Sequence, residues 1–150
     1  GTAYARVLAT LSEGRIGIAA VAVGTARAAL DAAVQYARER TAYGKPINKL
    51  QGVGFDLADM ATQVEVAHQF VMHVARMQAA GLSCETEASM AKLFASEMAE
   101  RVCSDALQVH GGYGYIAGVP VERYYRDARV TKIYEGTSHI QKVIISRSLL

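Results

Sequence analysis

The feature that most constrains this chain is a run of small and apolar residues spaced alternately by three and four positions. From Ile16 it passes through Ala19, Val23, Ala26, Leu30 and Ala33 to Ala37. That spacing lines one face of an α-helix and predicts a bundle seam. Most of the seam is alanine, so a neighbouring helix can approach closely. The segment Thr41-Ala42-Tyr43-Gly44-Lys45-Pro46 stops the helix, because a glycine and a proline each interrupt it for backbone reasons.

The pattern then repeats. Leu50, Val53, Leu57, Met60, Val64, Ala67, Val71 and Val74 predict a second helix from about Asn48 to Gly81. Ser83 is the expected N-cap of a third, with Glu85 and Glu87 in a first turn that favours acids. Its inward positions are Ala91, Ala95, Met98, Val102, Ala106 and Val109, and it breaks at Gly111-Gly112-Tyr113-Gly114. Pro120 suits the first position of a short fourth helix to Ile133. After Gly136, Thr137 can cap a last helix. The reading is an all-α fold: an up-and-down four-helix-type bundle, with three long antiparallel helices and two shorter C-terminal ones, in one domain over residues 1–150. No strand alternation or internal repeat is visible.

Composition narrows the function. Only two prolines and no tryptophan occur, 51% of residues are hydrophobic and 20% charged, as in a soluble globular helical protein. The net charge of +2 is spread among acids, without the basic patch of a nucleic-acid binder. No run of 18 uninterrupted apolar residues marks a membrane span, and no secretory signal is visible. Cys84 and Cys103 have no CxxC spacing and read as reduced structural thiols. Met60, Met72, Met90 and Met98 read as core fillers. No metal site is expected; His68 and His73 lack a second ligand at metal-binding spacing, and His110 is given no chemistry.

The residues with chemical potential lie at the breaks. Glu135, in Ile133-Tyr134-Glu135-Gly136-Thr137, sits at a helix junction between apolar neighbours. Desolvation there would suit a general base, although a solvated loop glutamate has the same local sequence. Gly111, Gly112 and Gly114 could admit a phosphate-bearing or planar ligand, or form an ordinary helix end. They are not a GxGxxG fingerprint after a strand. Arg40 could meet a phosphate, or simply complement a helix C-terminus.

Together these segments resemble acyl-CoA dehydrogenases. The resemblance is carried by Gly14-Arg15-Ile16-Gly17-Ile18-Ala19, Arg40-Thr41-Ala42-Tyr43-Gly44, Gln51, Gln108-Val109-His110-Gly111-Gly112-Tyr113-Gly114-Tyr115, Arg126-Asp127-Ala128-Arg129 and Ile133-Tyr134-Glu135-Gly136-Thr137-Ser138. They stand in the family's order and spacing, and cover essentially the whole chain. The resemblance implies the family's C-terminal helical domain, with the N-terminal helical and middle β domains outside these 150 residues. It implies an FAD enzyme that desaturates an acyl-CoA between the α and β carbons, with Glu135 as the base that removes the α-proton. The backbone N–H of Glu135 would donate to the thioester oxygen.

By the same resemblance Arg40 reaches the FAD pyrophosphate of a neighbouring subunit, and Gln51 lies nearby. Gln108, Gly111 and Gly112 contact the neighbour's adenosine portion, and Thr137 and His139 contact the flavin. Arg15 belongs to the substrate mouth, and Gly136 and Tyr134 to the acyl site. The implied partners are acyl-CoA, an electron-transfer flavoprotein and further copies of the chain in a dimer or tetramer. The implied setting is the bacterial cytoplasm or the mitochondrial matrix, in fatty-acid β-oxidation.

Some members carry the base on the first long helix, at the position of Gly14 here; the adjacent Glu13 reads as a surface acid. Departures from the family pattern are Ser12 for an aspartate, Ala42 for a hydroxyl residue, Gly118 for a polar residue and His139 for Gln or Glu. Arg126, Asp127 and Arg129 read as ion-pair formers. Two other classes stay open: a silent helical assembly module of the same fold, and an oxidase-like relative. These 150 residues alone are expected to be catalytically inactive.

Overall fold

Three long helices carry the core, each built on an apolar stripe. In a computed structural model, which describes the backbone of residues 2–150 and the side chains of residues 14–150, they are α1 (Thr2–Glu39), α2 (Gln51–Ala79) and α3 (Glu85–His110). The side chains of Ser12 and Glu13 lie outside the described residues. Ion pairs and stacking fix the directions. Arg15 faces Glu85 and Tyr36 faces His110, so α1 and α3 run parallel. Arg27 meets Glu65 near the middle of both helices, and the short connection at residues 40–50 turns the chain back, so α2 runs antiparallel to α1. The arrangement is up-down-up.

The alanine seam explains the closest pair. Ala19, Ala22, Ala26, Ala29, Ala33 and Ala37 of α1, and Ala88, Ala95, Ala99 and Ala106 of α3, are fully buried. Met60, Met98, Val74 and Val102 fill the wider spaces; burying each such side chain contributes about 1.5–3 kcal/mol. Met72, expected inside, is exposed, because it falls one position after the buried Val71 on the outer face of α2. Segment Gly14–Glu39 has a window of mean hydropathy 1.5, long and apolar enough to cross a membrane by length and composition. Here it is the core helix of the bundle.

The connections differ in detail from expectation. Between α1 and α2, β1 (Thr41–Ala42) and β2 (Lys45–Pro46) form a two-residue antiparallel hairpin. Tyr43 and Gly44 both have positive φ (53° and 75°), as a type I′ turn requires. A 3-10 turn at Ile47–Lys49 then leads into α2. At the other end of α2, Gly81 (φ 71°) closes a Schellman motif, with Leu82 N–H on Met77 C=O and Gly81 N–H on Gln78 C=O. The N-cap position of α3 is Cys84, not Ser83, and no side chain caps it.

After Gly111 a single turn, α4 (Gly112–Tyr115), precedes α5 (Pro120–Val130) and α6 (Ser138–Leu149). Pro120 opens α5 as expected, but the helix ends at Val130 rather than Ile133. Residues 131–133 tighten into bonds to carbonyls three residues back. Thr137 caps α6 by accepting from Ile140 N–H at 3.5 Å. Helix α5 packs on α1 and α3, α6 packs on α3, and α3 is therefore the axis of the domain.

Candidate functional site

The loop between α5 and α6 is held at more points than its length needs. Lys132 bonds Glu97 at 2.8 Å and Glu100 at 2.6 Å, and Arg129 approaches Glu100 at 3.4 Å. Ser138 Oγ donates to Glu97 at 2.9 Å. Partial burial pushes the Glu97 carboxyl up, but bonds from Lys132 and Ser138 outweigh it and hold the group below its ordinary value. The Lys132 ammonium is held above its ordinary value by the same pairs with Glu100 and Glu97. Lys132 thus does the tying expected of Arg126 and Asp127, which form no ion pair among the described residues; Arg129 pairs as expected.

This anchoring sustains backbone strain. Glu135 has φ 54°, unusual for a residue with a side chain, and Gly136 has φ 90°. Gln141 Nε2 donates to the carbonyls of Glu135 (3.2 Å) and Gly136 (2.9 Å), and Lys92 Nζ donates to the Gly136 carbonyl at 2.7 Å. The Glu135 carboxylate is thereby laid over α1, where a Cβ on Gly14 would come 2.6 Å from Oε2. The N–H of Glu135 has no hydrogen-bond partner among the described residues. The desolvation expected from Ile133 and Tyr134 is not provided by this chain. Both point outward, 54% and 36% exposed, and Glu135 is itself exposed.

Of the other expected site residues, Tyr134, Gly136, Thr137 and His139 surround Glu135 in sequence, with Thr137 and His139 exposed on the first turn of α6. Arg15 follows Gly14 at the same end of α1. It is buried with Nη1 3.7 Å from Glu85, and that nitrogen has no hydrogen-bond partner among the described residues.

Arg40, Gln108, Gly111 and Gly112 gather elsewhere. With Tyr36, Ile47 and Tyr113 they line an open concavity of about 530 Å³. Arg40 stacks over Tyr113 at 5.6 Å and has no carboxylate partner among the described residues. Gly111 (φ 58°) turns the chain, and a Cβ on either glycine would meet open space, so backbone is bare to a ligand there. His110 lies beneath, stacked 4.3 Å from Tyr36 with Nδ1 2.8 Å from the Ala106 carbonyl, which is a packing role. Gln51 is exposed at the start of α2 and does not line the concavity. The two clusters lie along α1 at Gly14 and just past its C-terminal end at Arg40, 26 positions and so roughly 39 Å apart.

Residues 4–150 match the family model described as acyl-CoA dehydrogenase, C-terminal domain. The chain belongs to the acyl-CoA dehydrogenase family. It is 53% identical to an acyl-CoA dehydrogenase of Bacillus subtilis over 150 residues, which are all of this chain and 40% of that protein. It is 46% identical to the caffeyl-CoA reductase-Etf complex subunit CarC of Acetobacterium woodii, over 98% of this chain and 39% of that one. Among solved structures, butyryl-CoA dehydrogenase from Megasphaera elsdenii superposes with a TM-score of 0.93 at 44% identity, covering 95% of this chain and 37% of that chain. The chain spans about two fifths of the length of these acyl-CoA dehydrogenase relatives. Within this family domain, Gly14 on α1 faces the carboxylate of Glu135.

Sequence reasoning missed Lys92 and Gln141, both fully buried under the Glu135 loop. A signal existed. Ser89, Lys92 and Ser96 stand at i, i+3 and i+7 of α3, a polar stripe on one helix face, and all three are fully buried.

Proposed function

We propose that this chain is the C-terminal domain of an FAD-dependent acyl-CoA dehydrogenase and that Glu135 is its base. The observation that carries the reading is a carboxylate held on a strained, clamped loop, with its own N–H beside it and free of partners among the described residues. Glu135 would take the α-proton of the thioester, and its N–H would donate to the thioester oxygen as enolate charge develops. FAD, when bound, supplies the acceptor for the β-hydrogen as hydride. Tyr134 and Gly136 would border the acyl chain, and Arg15 the entrance at that end of α1.

The concavity at the far end fits the phosphate and adenosine parts of FAD. It offers an unpaired guanidinium on Arg40, the side chain of Gln108, and bare backbone at Gly111 and Gly112. Gln51 would add a contact from the start of α2, and Thr137 and His139 would meet the flavin at the Glu135 end. A 39 Å separation is more than one dinucleotide spans, so each FAD would use opposite ends of two chains, in a homodimer or homotetramer. The missing desolvation of Glu135 then comes from the ligand, from the other domains of the protein and from neighbouring copies. Electrons would leave to an electron-transfer flavoprotein, in the bacterial cytoplasm or mitochondrial matrix, as part of fatty-acid β-oxidation.

The test is made on the full-length protein. Adding acyl-CoA should bleach its bound yellow flavin, and Glu135→Gln should abolish bleaching while FAD stays bound. Turnover in that variant would remove Glu135 from its role, and a full-length protein that binds neither FAD nor acyl-CoA would make the domain a silent assembly module. The similarity to a caffeyl-CoA reductase subunit favours a second reading, the same proton and hydride transfers run toward saturation. Reduction of an enoyl-CoA faster than oxidation of the acyl-CoA would select it.

A further inference from the structure

Lysine is among the side chains least often fully buried, and Lys92 is fully buried in the N-terminal half of α3. Among the described residues it makes one hydrogen bond, 2.7 Å to the Gly136 carbonyl, a residue after Glu135 and 44 positions away in sequence. Its neighbours on the stripe, Ser89 and Ser96, turn back to carbonyls of their own helix. Glu97 and Glu100 hold the flanks of the loop at Lys132 and Ser138, which leaves Lys92 as the α3 side chain bonded to Gly136 among the described residues. Gln141 grips the same carbonyl from α6, and its amide occupies the space a Cβ on Gly136 would need.

We infer that Lys92 is a positioning residue for the base: by donating to the Gly136 carbonyl its ammonium fixes the Glu135–Gly136 loop from beneath and so aims the Glu135 carboxylate. This rests on the reading of Glu135 given above. Burial pulls the Lys92 ammonium below its ordinary value, and the carboxylates of Glu135 and then Glu97 pull it back, so Glu135 is the leading charge that Lys92 senses. Glu97 is already engaged by Lys132 and Ser138, with Lys142 of α6 nearby. Arg15 on α1 faces Glu85.

The experiment uses the full-length FAD-loaded protein and Lys92→Met, Lys92→Gln and Lys92→Arg. FAD content and thermal midpoint are measured beside kcat and KM. Losing the donor under Gly136 should lower the kcat of Lys92→Met by about tenfold or more, with KM within about threefold and FAD content unchanged. Lys92→Arg keeps a charged donor and should recover most of that kcat. Lys92→Gln keeps a neutral donor and tolerates burial, and it carries the test if the methionine variant does not fold; its kcat should fall by about threefold or more, again without a matching change in KM. A kcat within about twofold of the parent in whichever neutral variants fold would overturn the inference, whatever happens to stability. Glu135→Gln in parallel keeps the two readings apart, since activity in that variant defeats the assignment of the base while an unchanged kcat in the Lys92 variants defeats only this one.

Discussion

Gly14→Ala is expected to make the protein at least as stable and much less active. The added Cβ would sit 2.6 Å from Glu135 Oε2 and 3.2 Å from its Cδ, where ordinary contact begins near 3.4 Å. The obstructing atoms are the end of a flexible side chain on an exposed residue, so the fold need not move. The carboxylate must, by roughly 0.8 Å or more, and a misplacement near 1 Å costs on the order of 100-fold in rate. Meanwhile alanine in a helix interior is favoured over glycine by about 0.8–1.0 kcal/mol. The two effects carry opposite signs, which a general structural disturbance would not produce. The assay is rapid-mixing measurement of flavin bleaching by acyl-CoA, with thermal denaturation of the same holoprotein. A variant that bleaches within about threefold of the parent rate would show that the Glu135 side chain does not work from over Gly14.

Two other positions give separate tests. Gly136→Ala must adopt φ near 90° and place a Cβ 2.6 Å from Gln141 Nε2, so it should cost about 1–3 kcal/mol in strain and lower kcat by loosening the clamp; unchanged thermal midpoint and kcat would refute the clamp. The thiol of Cys103 is pushed up to about 12 by burial and then by the Asp127 carboxylate, against 9.0 ordinarily, so it should resist alkylation at pH 8 until denaturant is added, as peptide mapping by mass spectrometry would read. Because the folded value lies above the unfolded one, its contribution is complete below pH 9 and is lost as pH climbs toward 12; Cys103→Ala should therefore flatten the alkaline fall in the urea midpoint.

What was legible in the sequence was whatever repeats. Ala19, Val23, Ala26 and Ala33 are buried because a 3–4 spacing returns them to one face. Glycine and proline at 44, 46, 111 and 120 mark real breaks for backbone reasons that need no tertiary context. The hairpin at 41–46 was not legible, because two-residue strands carry no alternation. Ser83 looked like a cap, yet the chain enters α3 one residue later. Lys92 and Gln141 were missed because polar residues are read by default as solvated. Whether such a side chain turns inward depends on a loop 44 positions away that needs a donor. Glu135 was placed at its junction, but its surroundings were misjudged, since apolar neighbours in sequence need not cover it in space. Ile133 and Tyr134 face out, toward whatever completes the site.

That incompleteness can be turned into a count. If each FAD uses Arg40 from one chain and Glu135 from another, two crippled proteins should repair each other. Arg40→Gln removes a charge-assisted phosphate contact of about 1.5–3 kcal/mol and should empty the flavin site; Glu135→Gln leaves flavin but no base. Neither variant alone should turn over. When the two are refolded or coexpressed together, half of randomly formed dimers are mixed. Each mixed dimer joins an intact Glu135 and an intact Arg40 at one of its two sites. Activity should recover to about a quarter of the unmutated level, because symmetry fixes which ends meet. Were both residues to serve the same FAD from one chain, no mixture could contain a whole site and recovery would be nil. The helix itself argues for the first result, since α1 runs unbroken from Gly14, beneath Glu135, to its end beside Arg40, roughly 39 Å away.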